Sequence, residues 1–387
     1  MSNSGDTNMW ATVNTIAAEI RRIEKDKSKL ASSIKDAKNQ IDLSNLRAGF
    51  SDILENRLFC RVSPTNLGGL RVGAVDGGVV GRSFHGIDLI ITRAIAVIFD
   101  FDKRGTPFVE YYPEECPSPQ IISNLEPLSL FDFELNTSLE RIRSELNAAI
   151  QVLDFRHLDI LFMDGSITPI PSDRPQASST ILPKYTTLIG LYEKLYSKCE
   201  KQSTLLCGVV KDSRSTRFAQ ILGSIIPHLM NQIPSLRKLL KLDYRKTILR
   251  IRDTDLLYRV LDIGERSFIF SYSKNFKQNL TLRDFENKNW PKQLHAFYLK
   301  TVEYDRPLRI EFLTFGNDTG KVAEKLASVI LPLSSHHAEY GLPTVLVEAD
   351  TQARLLESDL DIIYERLIER VGLSPSMLRL RREKKPF

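Results

Sequence analysis

Two aspartates and a lysine follow segments that have the composition of buried β-strands. Asp76 follows Leu-Arg-Val-Gly-Ala-Val, and Asp164 follows Leu-Asp-Ile-Leu-Phe-Met. Lys211 follows a third such segment, Leu-Leu-Cys-Gly-Val-Val. Sites in open α/β sheets lie beyond the carboxyl ends of the strands. We therefore expect these three side chains to meet at one edge of a sheet.

Carboxylates that meet in this way repel each other unless a cation neutralises them. Their oxygens are hard ligands, which suit Mg²⁺ or Mn²⁺. A glycine follows each aspartate and is predicted to let the backbone turn sharply and a ligand approach closely. A plain turn is the alternative interpretation of one Asp-Gly pair. Two such pairs, each after a mostly apolar run, favour a metal site.

A helix predicted at residues 132–155 offers a third carboxylate. Its apolar stripe is centred on Leu139, Leu146 and Leu153. At about 100° per residue, Glu145 lies at the edge of this stripe and can lean over the end of the sheet. Glu140 is predicted to lie on the solvent face. An ordinary flanking surface acid is the alternative interpretation of Glu145.

Polar side chains also crowd into residues 336–350. This segment can supply a metal ligand, a general acid or a DNA contact, or it can be a polar loop that leads into a helix. Its polar residues are His336, His337, Glu339, Tyr340, Glu348 and Asp350. The chain has no P-loop and no nucleophile elbow, and the glycines at 77–81 lack the spacing of a dinucleotide fingerprint.

The composition is that of a globular protein, with 42% hydrophobic and 26% charged residues among 387. No apolar run is long enough to span a membrane, and no signal sequence is evident. We therefore expect a soluble cytoplasmic protein. The four scattered cysteines predict neither a zinc site nor a disulfide framework. The net charge is +5, and basic residues concentrate at 237–252. That cluster fits nucleic-acid contact and a solvated helix face equally well.

The order of elements predicts a mixed α/β layer architecture. Strands are expected within 69–101 and at 107–112, 158–163, 205–210, 267–272 and 308–314. Besides the helix at 132–155, helices are expected at 185–200, at 321–330 and from about 344 to 356 or beyond. Residues 10–58 read as helix, either a charged arm or a two-helix hairpin. We divide the chain into an N-terminal helical arm, residues 1–60, and a main domain, residues 61–387, with a helical and basic insertion around 217–300.

Taken in order, these motifs resemble those of the NurA nuclease family over roughly residues 65–360. The matching segments are Val-Gly-Ala-Val-Asp76-Gly-Gly, Arg143-Ser-Glu145-Leu, Leu161-Phe-Met-Asp164-Gly-Ser, Gly-Val-Val-Lys211-Asp-Ser-Arg and Tyr340-Gly-Leu-Pro-Thr-Val-Leu-Val-Glu-Ala-Asp350. The resemblance implies an RNase H-like mixed sheet flanked by helices. It also implies endonuclease and 5′–3′ exonuclease activity on DNA that depends on Mn²⁺ or Mg²⁺. A homodimer that works with a HerA-type hexameric ATPase in DNA end processing, repair or defence is implied as well.

The resemblance also assigns roles to the acidic residues. Asp76, Glu145 and Asp164 are expected to be metal ligands, and Lys211 to position the scissile phosphate or stabilise its charge. On these roles we base a two-metal hypothesis, in which Asp76 bridges both ions and Glu145 and Asp164 hold one of them. Asp350 is expected to hold the other.

The last ligand is where the chain departs from the family pattern. Family members often carry a histidine in the final motif after Tyr-Pro, whereas here Gly341 follows Tyr340. Asp350 stands at the expected place of the histidine and is our first choice, because a carboxylate can replace an imidazole on manganese. His337 is the second choice.

DNA is expected to contact basic and aromatic side chains without readout of its sequence. The expected contacts are Arg214, Arg237, Lys238, Lys241, Arg245, Lys246 and Tyr340. Two rival functions remain open at this point. One is a non-catalytic RNase H-like DNA-binding adaptor that recruits an ATPase. The other is an RNase H-like transferase or kinase-type enzyme whose Asp-Gly loops hold nucleotide phosphates.

Overall fold

The structure, a computed structural model, describes residues 4–47, 49–316 and 318–380, with side chains from residue 9 onward. Within them, eleven strands form one mixed sheet. The strands are β1 Phe59–Arg61, β2 Arg71–Ser83, β3 Asp88–Phe101, β4 Pro107–Tyr112, β5 Gln120–Asn124, β6 Ile160–Asp164, β7 Leu205–Val210, β8 Glu265–Ser267, β9 Phe270–Ser271, β10 Leu294–Leu299 and β11 Leu308–Leu313. The helices are α1 Ser4–Ala37, α2 Leu130–Phe155, α3 Leu182–Gln202, α4 Arg217–Gln232, α5 Tyr244–Arg250, α6 Asp253–Val260, α7 Trp290–Gln293, α8 Thr319–Ser334, α9 Thr344–Ala353 and α10 Glu357–Val371.

The middle of the sheet has the strand order β4-β3-β2-β6-β7. β2, β3 and β4 are antiparallel neighbours, whereas β2, β6 and β7 run parallel to one another. This is the arrangement of an RNase H-like fold, and the predicted fold class is therefore confirmed. The sheet continues from β7 through β11, β10, β8 and β1, all in antiparallel pairs.

Helices cover both faces of this sheet. α2 and α3 share one apolar core with its first face, in which Leu146 and Tyr196 are buried. α8 and α9 share a second core with its other face, in which Leu326 and Val345 are buried. The strands are apolar on both sides because both sides are covered, as the sequence predicted. Within the described residues, no helix is both long and apolar enough to cross a membrane.

β2 does not end at Asp76, contrary to the prediction from the sequence. Every residue from Arg71 to Ser83 pairs with β3, so Gly77 and Gly78 continue the strand. The parallel pairing with β6 nevertheless stops at Val75, which lies opposite Met163. Asp76 therefore lies beyond the carboxyl end of the parallel part of the sheet, even though its own strand goes on.

α2 confirms the predicted helix and corrects the position of Glu140. The helix begins after Ser129, whose side chain accepts a hydrogen bond from the Asp132 amide. Glu140 is buried instead of facing solvent, because α3 packs against that side of α2. Lys184 of α3 and Arg143 of α2 both form ion pairs with its carboxylate.

The N-terminal helix is shorter than predicted, since α1 ends at Ala37, and residues 41–47 and 49–58 form turns and isolated bridges. Its second half, including Leu30 and Ile34, is buried in an apolar core shared with α4, α5 and α6. Beyond α6, residues 265–299 return to the sheet as β8, β9 and β10. The sequence analysis also missed β1, β5 and β10, and it expects one helix from 344 to 356 or beyond where the structure has α9 and then a separate helix, α10. The division into an arm and a main domain stays a prediction.

Candidate active site

Three aspartates from three separate elements meet at the end of β6. Asp76 of β2, Asp164 of β6 and Asp350 of α9 each offer an oxygen, and these oxygens lie within 4.8 Å of one another. The strand register explains the first two: Val75 pairs with Met163, so the next residue of each strand carries a carboxylate. Asp350 arrives from the other side, because α9 packs against β2.

Gly77 and Gly78 make room beside Asp76 for parts of two helices. A Cβ at Gly77 would lie 2.7 Å from Cγ of Glu145, so this glycine admits the Glu145 side chain of α2. A Cβ at Gly78 would lie 2.2 Å from the carbonyl oxygen of Ala353, so this glycine admits the end of α9. The Asp-Gly-Gly sequence therefore creates space for two helices, where the sequence suggested a turn.

The second Asp-Gly pair does turn the chain. Gly165 has a φ of +92°, which favours glycine, and its amide donates to the Val209 carbonyl at 3.0 Å. Its own carbonyl oxygen lies over Gly208, where a Cβ would approach to 2.6 Å. β6 thus ends in a tight turn that is fixed directly after Asp164.

A buried ion pair stands behind this turn. Ser166 Oγ donates a hydrogen bond of 2.6 Å to Glu311 Oε2, and Arg309 Nε donates one of 2.7 Å to Glu311 Oε1. Both charged side chains lie in β11 and are almost fully buried. The sequence analysis missed these three residues. A charged Arg-x-Glu inside an otherwise apolar strand is the signal that could have identified the pair.

Lys211 supplies positive charge to the three aspartates. Its Nζ lies 3.0 Å from Asp164 Oδ2 and 3.9 Å from Asp350 Oδ1. Burial alone would lower the pKa of Lys211, but Asp164 and Asp76 outweigh burial and raise it. Lys211 is therefore a fixed cation at the rim of the site.

One lysine does not compensate the acidic cluster. Burial is the main cause that raises the pKa of Asp76 to about 7, and the charge of Asp164 adds to it. A hydrogen bond of 2.7 Å from the Gly77 amide and the charge of Lys211 oppose this rise. Asp76 is thus a carboxylate whose ionised form calls for a further cation.

Glu145 lies beside the three aspartates but is paired with Arg141. Burial raises the pKa of Glu145 to about 8, Arg141 opposes that rise, and Asp76 and Asp164 add to it. Among the described residues, only the three aspartates form a group with metal-ligand spacing, and Glu145 stands outside it. The sequence analysis missed Arg141, although its position four residues before Glu145 is that of a helical ion pair.

Comparison with known proteins identifies the family. A sequence profile of the NurA domain matches residues 70–355. The chain belongs to the NurA family. A comparison with curated protein sequences gave no match.

The chain is similar to solved structures of two NurA proteins and of an endonuclease V. The NurA nuclease of Sulfolobus solfataricus is 17% identical, with a TM-score of 0.53 over 94% of this chain and 97% of that one. A NurA structure with dAMP and manganese is 15% identical, with a TM-score of 0.43 over 94% and 99% of the two chains. Endonuclease V of Ciona intestinalis with inosine-containing DNA is 11% identical, with a TM-score of 0.31 over 78% and 92%.

The final NurA motif is divided between the site and the surface. Tyr340 is about half exposed, and the charges of Lys211 and Asp350 act on its hydroxyl. Burial is the largest cause that raises the pKa of Tyr340. His336 and His337 are exposed, and Nδ1 of His337 accepts from the Glu339 amide. Within the described residues, neither histidine belongs to the carboxylate group.

The basic residues predicted to contact DNA lie mostly along α1. Lys238 pairs with Asp36 of α1 at 2.9 Å, and Lys246 lines a cavity together with Arg22 of α1. Arg237, Lys241 and Arg245 are exposed in the same segment. The groove around the three aspartates has different lining residues.

Arg214 belongs to another part of the surface. It is exposed three residues after Lys211, and its carbonyl accepts a hydrogen bond from Arg252. Of the predicted DNA contacts, Tyr340 thus lies in the segment before α9 and Arg214 in the segment after β7, whereas the other five form a separate basic strip.

Proposed function

We propose that this NurA family protein is a metal-dependent DNA nuclease. It hydrolyses the phosphodiester bonds of DNA at a site formed by Asp76, Asp164 and Asp350. The observation that carries the proposal is their convergence from β2, β6 and α9 to oxygen distances within 4.8 Å. Carboxylates from separate elements meet at such distances at a cost in repulsion, which a divalent cation removes. The close approach of α9, which carries Asp350, depends on Gly78, directly after the Asp76-Gly77 pair.

The donor set fits a hard divalent cation. All three groups offer carboxylate oxygen, which Mn²⁺ and Mg²⁺ prefer. A NurA structure has been solved with manganese, and we propose Mn²⁺, or alternatively Mg²⁺, for this chain. In the two-ion arrangement, Asp76 would be the shared ligand, with Glu145 and Asp164 on one side and Asp350 on the other. Bound ions of this kind activate water and stabilise the leaving oxygen.

The chain's own residues position the DNA and its developing charge. Lys211, held by Asp164, places an ammonium where negative charge gathers on the phosphate. Arg141 presents a guanidinium on the other side of Asp164, in the same groove. Tyr340 stands exposed at the rim, where a DNA strand enters. The basic strip at residues 237–246 holds the DNA backbone at a distance from the cut, without reading its sequence.

The finer features follow from family membership and are part of the proposal. They are endonuclease and 5′–3′ exonuclease activity, a homodimer, and partnership with a HerA-type hexameric ATPase in DNA end processing, repair or defence. A helical arm at residues 1–60, a nuclease domain at 61–387 and a cytoplasmic location complete it.

Isosteric amides at the carboxylates test the catalytic proposal. We expect Asp76→Asn and Asp164→Asn each to lower Mn²⁺-dependent cleavage of labelled linear DNA by roughly a thousandfold. The carboxylates act as one unit, so the loss of any one of them removes most of the activity. Asp100→Asn, on β3 and paired with Arg71 outside the group, is the matched control and should cleave normally. Full activity in folded Asp164→Asn protein overturns the proposal. DNA binding without cleavage in the wild type would instead support the adaptor function.

A further inference from the structure

A cavity of about 230 Å³ opens directly beside the carboxylate group. It lies between α2, α3 and the turn that follows β6. Arg141 and Asp164 line this cavity and also line the groove that contains Asp76 and Asp350. The two spaces are therefore neighbours, and a nucleotide whose phosphate lies at the carboxylates can reach the cavity with its base.

The cavity has the chemistry of a site for a flat heteroaromatic group. Its walls are apolar and include Leu146 of α2 and the ring of Tyr192 and side chain of Leu195 of α3. Four charged residues interrupt these walls, namely Arg141, Glu145, Asp164 and Asp173. A nucleobase matches this pattern, since its faces are apolar and its edge carries hydrogen-bonding groups.

Asp173 is the unusual polar group of the cavity. It is only 7% exposed, and its Oδ2 accepts a hydrogen bond of 2.8 Å from the Ile170 amide. Within the described part of the chain, no second hydrogen bond to this carboxylate is found. A buried carboxylate with one hydrogen bond is costly unless a ligand supplies others. Burial raises the pKa of Asp173, and the nearby charge of Arg141 opposes that rise.

We propose that this cavity binds the nucleobase of the nucleotide next to the cleaved bond, with Asp173 accepting hydrogen bonds from the base edge. The proposal rests on the nuclease function above and extends it to a base subsite. Since the base must leave its stack and its pair, the cavity favours single-stranded or frayed DNA. Because Asp173 is an acceptor, bases with an exocyclic amino group are preferred over thymine.

A second cavity provides an internal control. It measures about 280 Å³ and is lined by Arg174, Tyr185 and Asp284 among others, none of which lines the carboxylate groove. There the Asp284 carboxylate accepts hydrogen bonds from Arg174 at 2.6 Å and from Tyr185 at 3.1 Å. Its carboxylate is already satisfied by the protein, in contrast to that of Asp173.

The test uses a short oligothymidylate with one internal 2-aminopurine, which is then its only base with an amino group. In EDTA, we expect binding to change the probe's fluorescence about twofold or more, because the base stacks within the cavity. In Mn²⁺, we expect cuts to concentrate at a bond adjoining the probe and to move when the probe is moved. Binding without a fluorescence change, or cuts spread evenly along the strand, overturns the base subsite.

Variants assign the signal to this cavity. Asp173→Ala should lose both the fluorescence change and the focused cuts, whereas Asp284→Ala should keep both. If Asp173→Ala fails to fold, Ile170→Trp replaces it. Ile170 is a partly exposed residue of the lining, and a tryptophan there blocks the cavity without disturbing the core. A wild type that binds but never cuts DNA contradicts the nuclease function. A wild type that cuts with no preference at the probe contradicts only the subsite.

Discussion

Two regions of the sheet bury charged side chains, but only one of them balances the charge within the protein. In β8, the side chain of Arg266 is 4% exposed, and its guanidinium donates two hydrogen bonds of 2.7 Å to the Glu55 carboxylate. Glu324 lies at 3.4 Å on its other side. At the end of β6, three aspartates share the single ammonium of Lys211. The first region is compensated internally, whereas the second keeps an excess of negative charge.

The difference in charge balance agrees with the proposal that the aspartate region binds a cation from outside the chain. A compensated buried pair is complete, and its removal affects mainly folding. An uncompensated cluster costs stability in the free protein, and carboxylates perturbed in this way are candidates for a functional site. The comparison therefore predicts opposite responses when one carboxylate is neutralised in each region.

Neutralising Glu55 should destabilise the protein strongly. Glu55→Gln leaves Arg266 buried with only the more distant Glu324, at a cost of roughly 3 kcal/mol in the free energy of unfolding. Chemical denaturation followed by circular dichroism measures this change. The rate of DNA cleavage per folded molecule should stay at the wild-type value, and a large loss of rate would break the distinction between the regions.

Neutralising Asp76 should have the opposite effect on stability. Its pKa is raised from 3.8 to about 7, and each unit corresponds to about 1.4 kcal/mol. Asp76→Asn should therefore stabilise the metal-free protein at pH 8 by up to about 4 kcal/mol. Added Mn²⁺ should raise the melting temperature of the wild type and leave that of the variant nearly unchanged. A destabilised variant would show that Asp76 is held by contacts that the charge balance omits.

Glu311 combines features of both regions, because it is a compensated buried charge that supports the uncompensated site. It positions Asp164 through the Ser166 hydroxyl and the turn at Gly165. Glu311→Gln should weaken Mn²⁺ binding by about 10- to 100-fold, as loss of an outer-shell partner does. Titration calorimetry on the metal-free protein measures this without relying on activity.

Ser166→Ala should produce a similar loss of Mn²⁺ affinity, and the two changes should not add, because they remove one interaction. Glu55→Gln is the matched control for general destabilisation. Normal Mn²⁺ affinity in folded Glu311→Gln protein would show that Glu311 stabilises the fold but does not position the metal ligand Asp164.

The sequence predicted those features that depend on local pattern. Apolar runs and helical periodicity located β2, β3, β6, β7 and α2. Strand ends then placed Asp164 and Lys211 correctly with respect to the sheet. Asp76 was found for a partly wrong reason, because β2 continues past it and only the pairing with β6 stops there. The glycines after Asp76 are visible in the sequence, but the packing of α2 and α9 against them is not.

Features that depend on packing between distant segments were out of reach. The periodicity of α2 predicts Glu140 on the solvent face, because the sequence of α2 does not reveal where α3 packs. The pairing of Arg309 with Glu311 needs only a two-residue spacing, but its connection to Ser166 crosses from β11 to the turn after β6. The approach of Asp350 depends on how α9 docks on β2, which only the fold determines.

Mn²⁺ binding at the aspartates should depend on pH. Metal ligands must lose their protons, so binding to carboxylates with raised pKa values releases protons. Burial and neighbouring charges raise the pKa of Asp76 to about 7 and that of Glu145 to about 8. Mn²⁺ affinity should therefore increase as the pH rises, by about tenfold per unit for each proton released, and level off above pH 8. Glu145→Gln should remove the upper part of this rise and keep the lower part.

The stability of the metal-free protein should depend on the same carboxylate, but it should fall with rising pH where the Mn²⁺ affinity increases. A carboxylate with a raised pKa stabilises the folded state below its unfolded value of 3.8, and this contribution is lost as the pH rises through about 7. The melting temperature without metal should thus fall between about pH 4 and pH 8 in the wild type and fall less in Asp76→Asn. Glu55→Gln should keep the full wild-type slope, since the compensated pair at Arg266 has no part in it. An equal change of slope in both variants would mean that the excess charge is not localised at the aspartates.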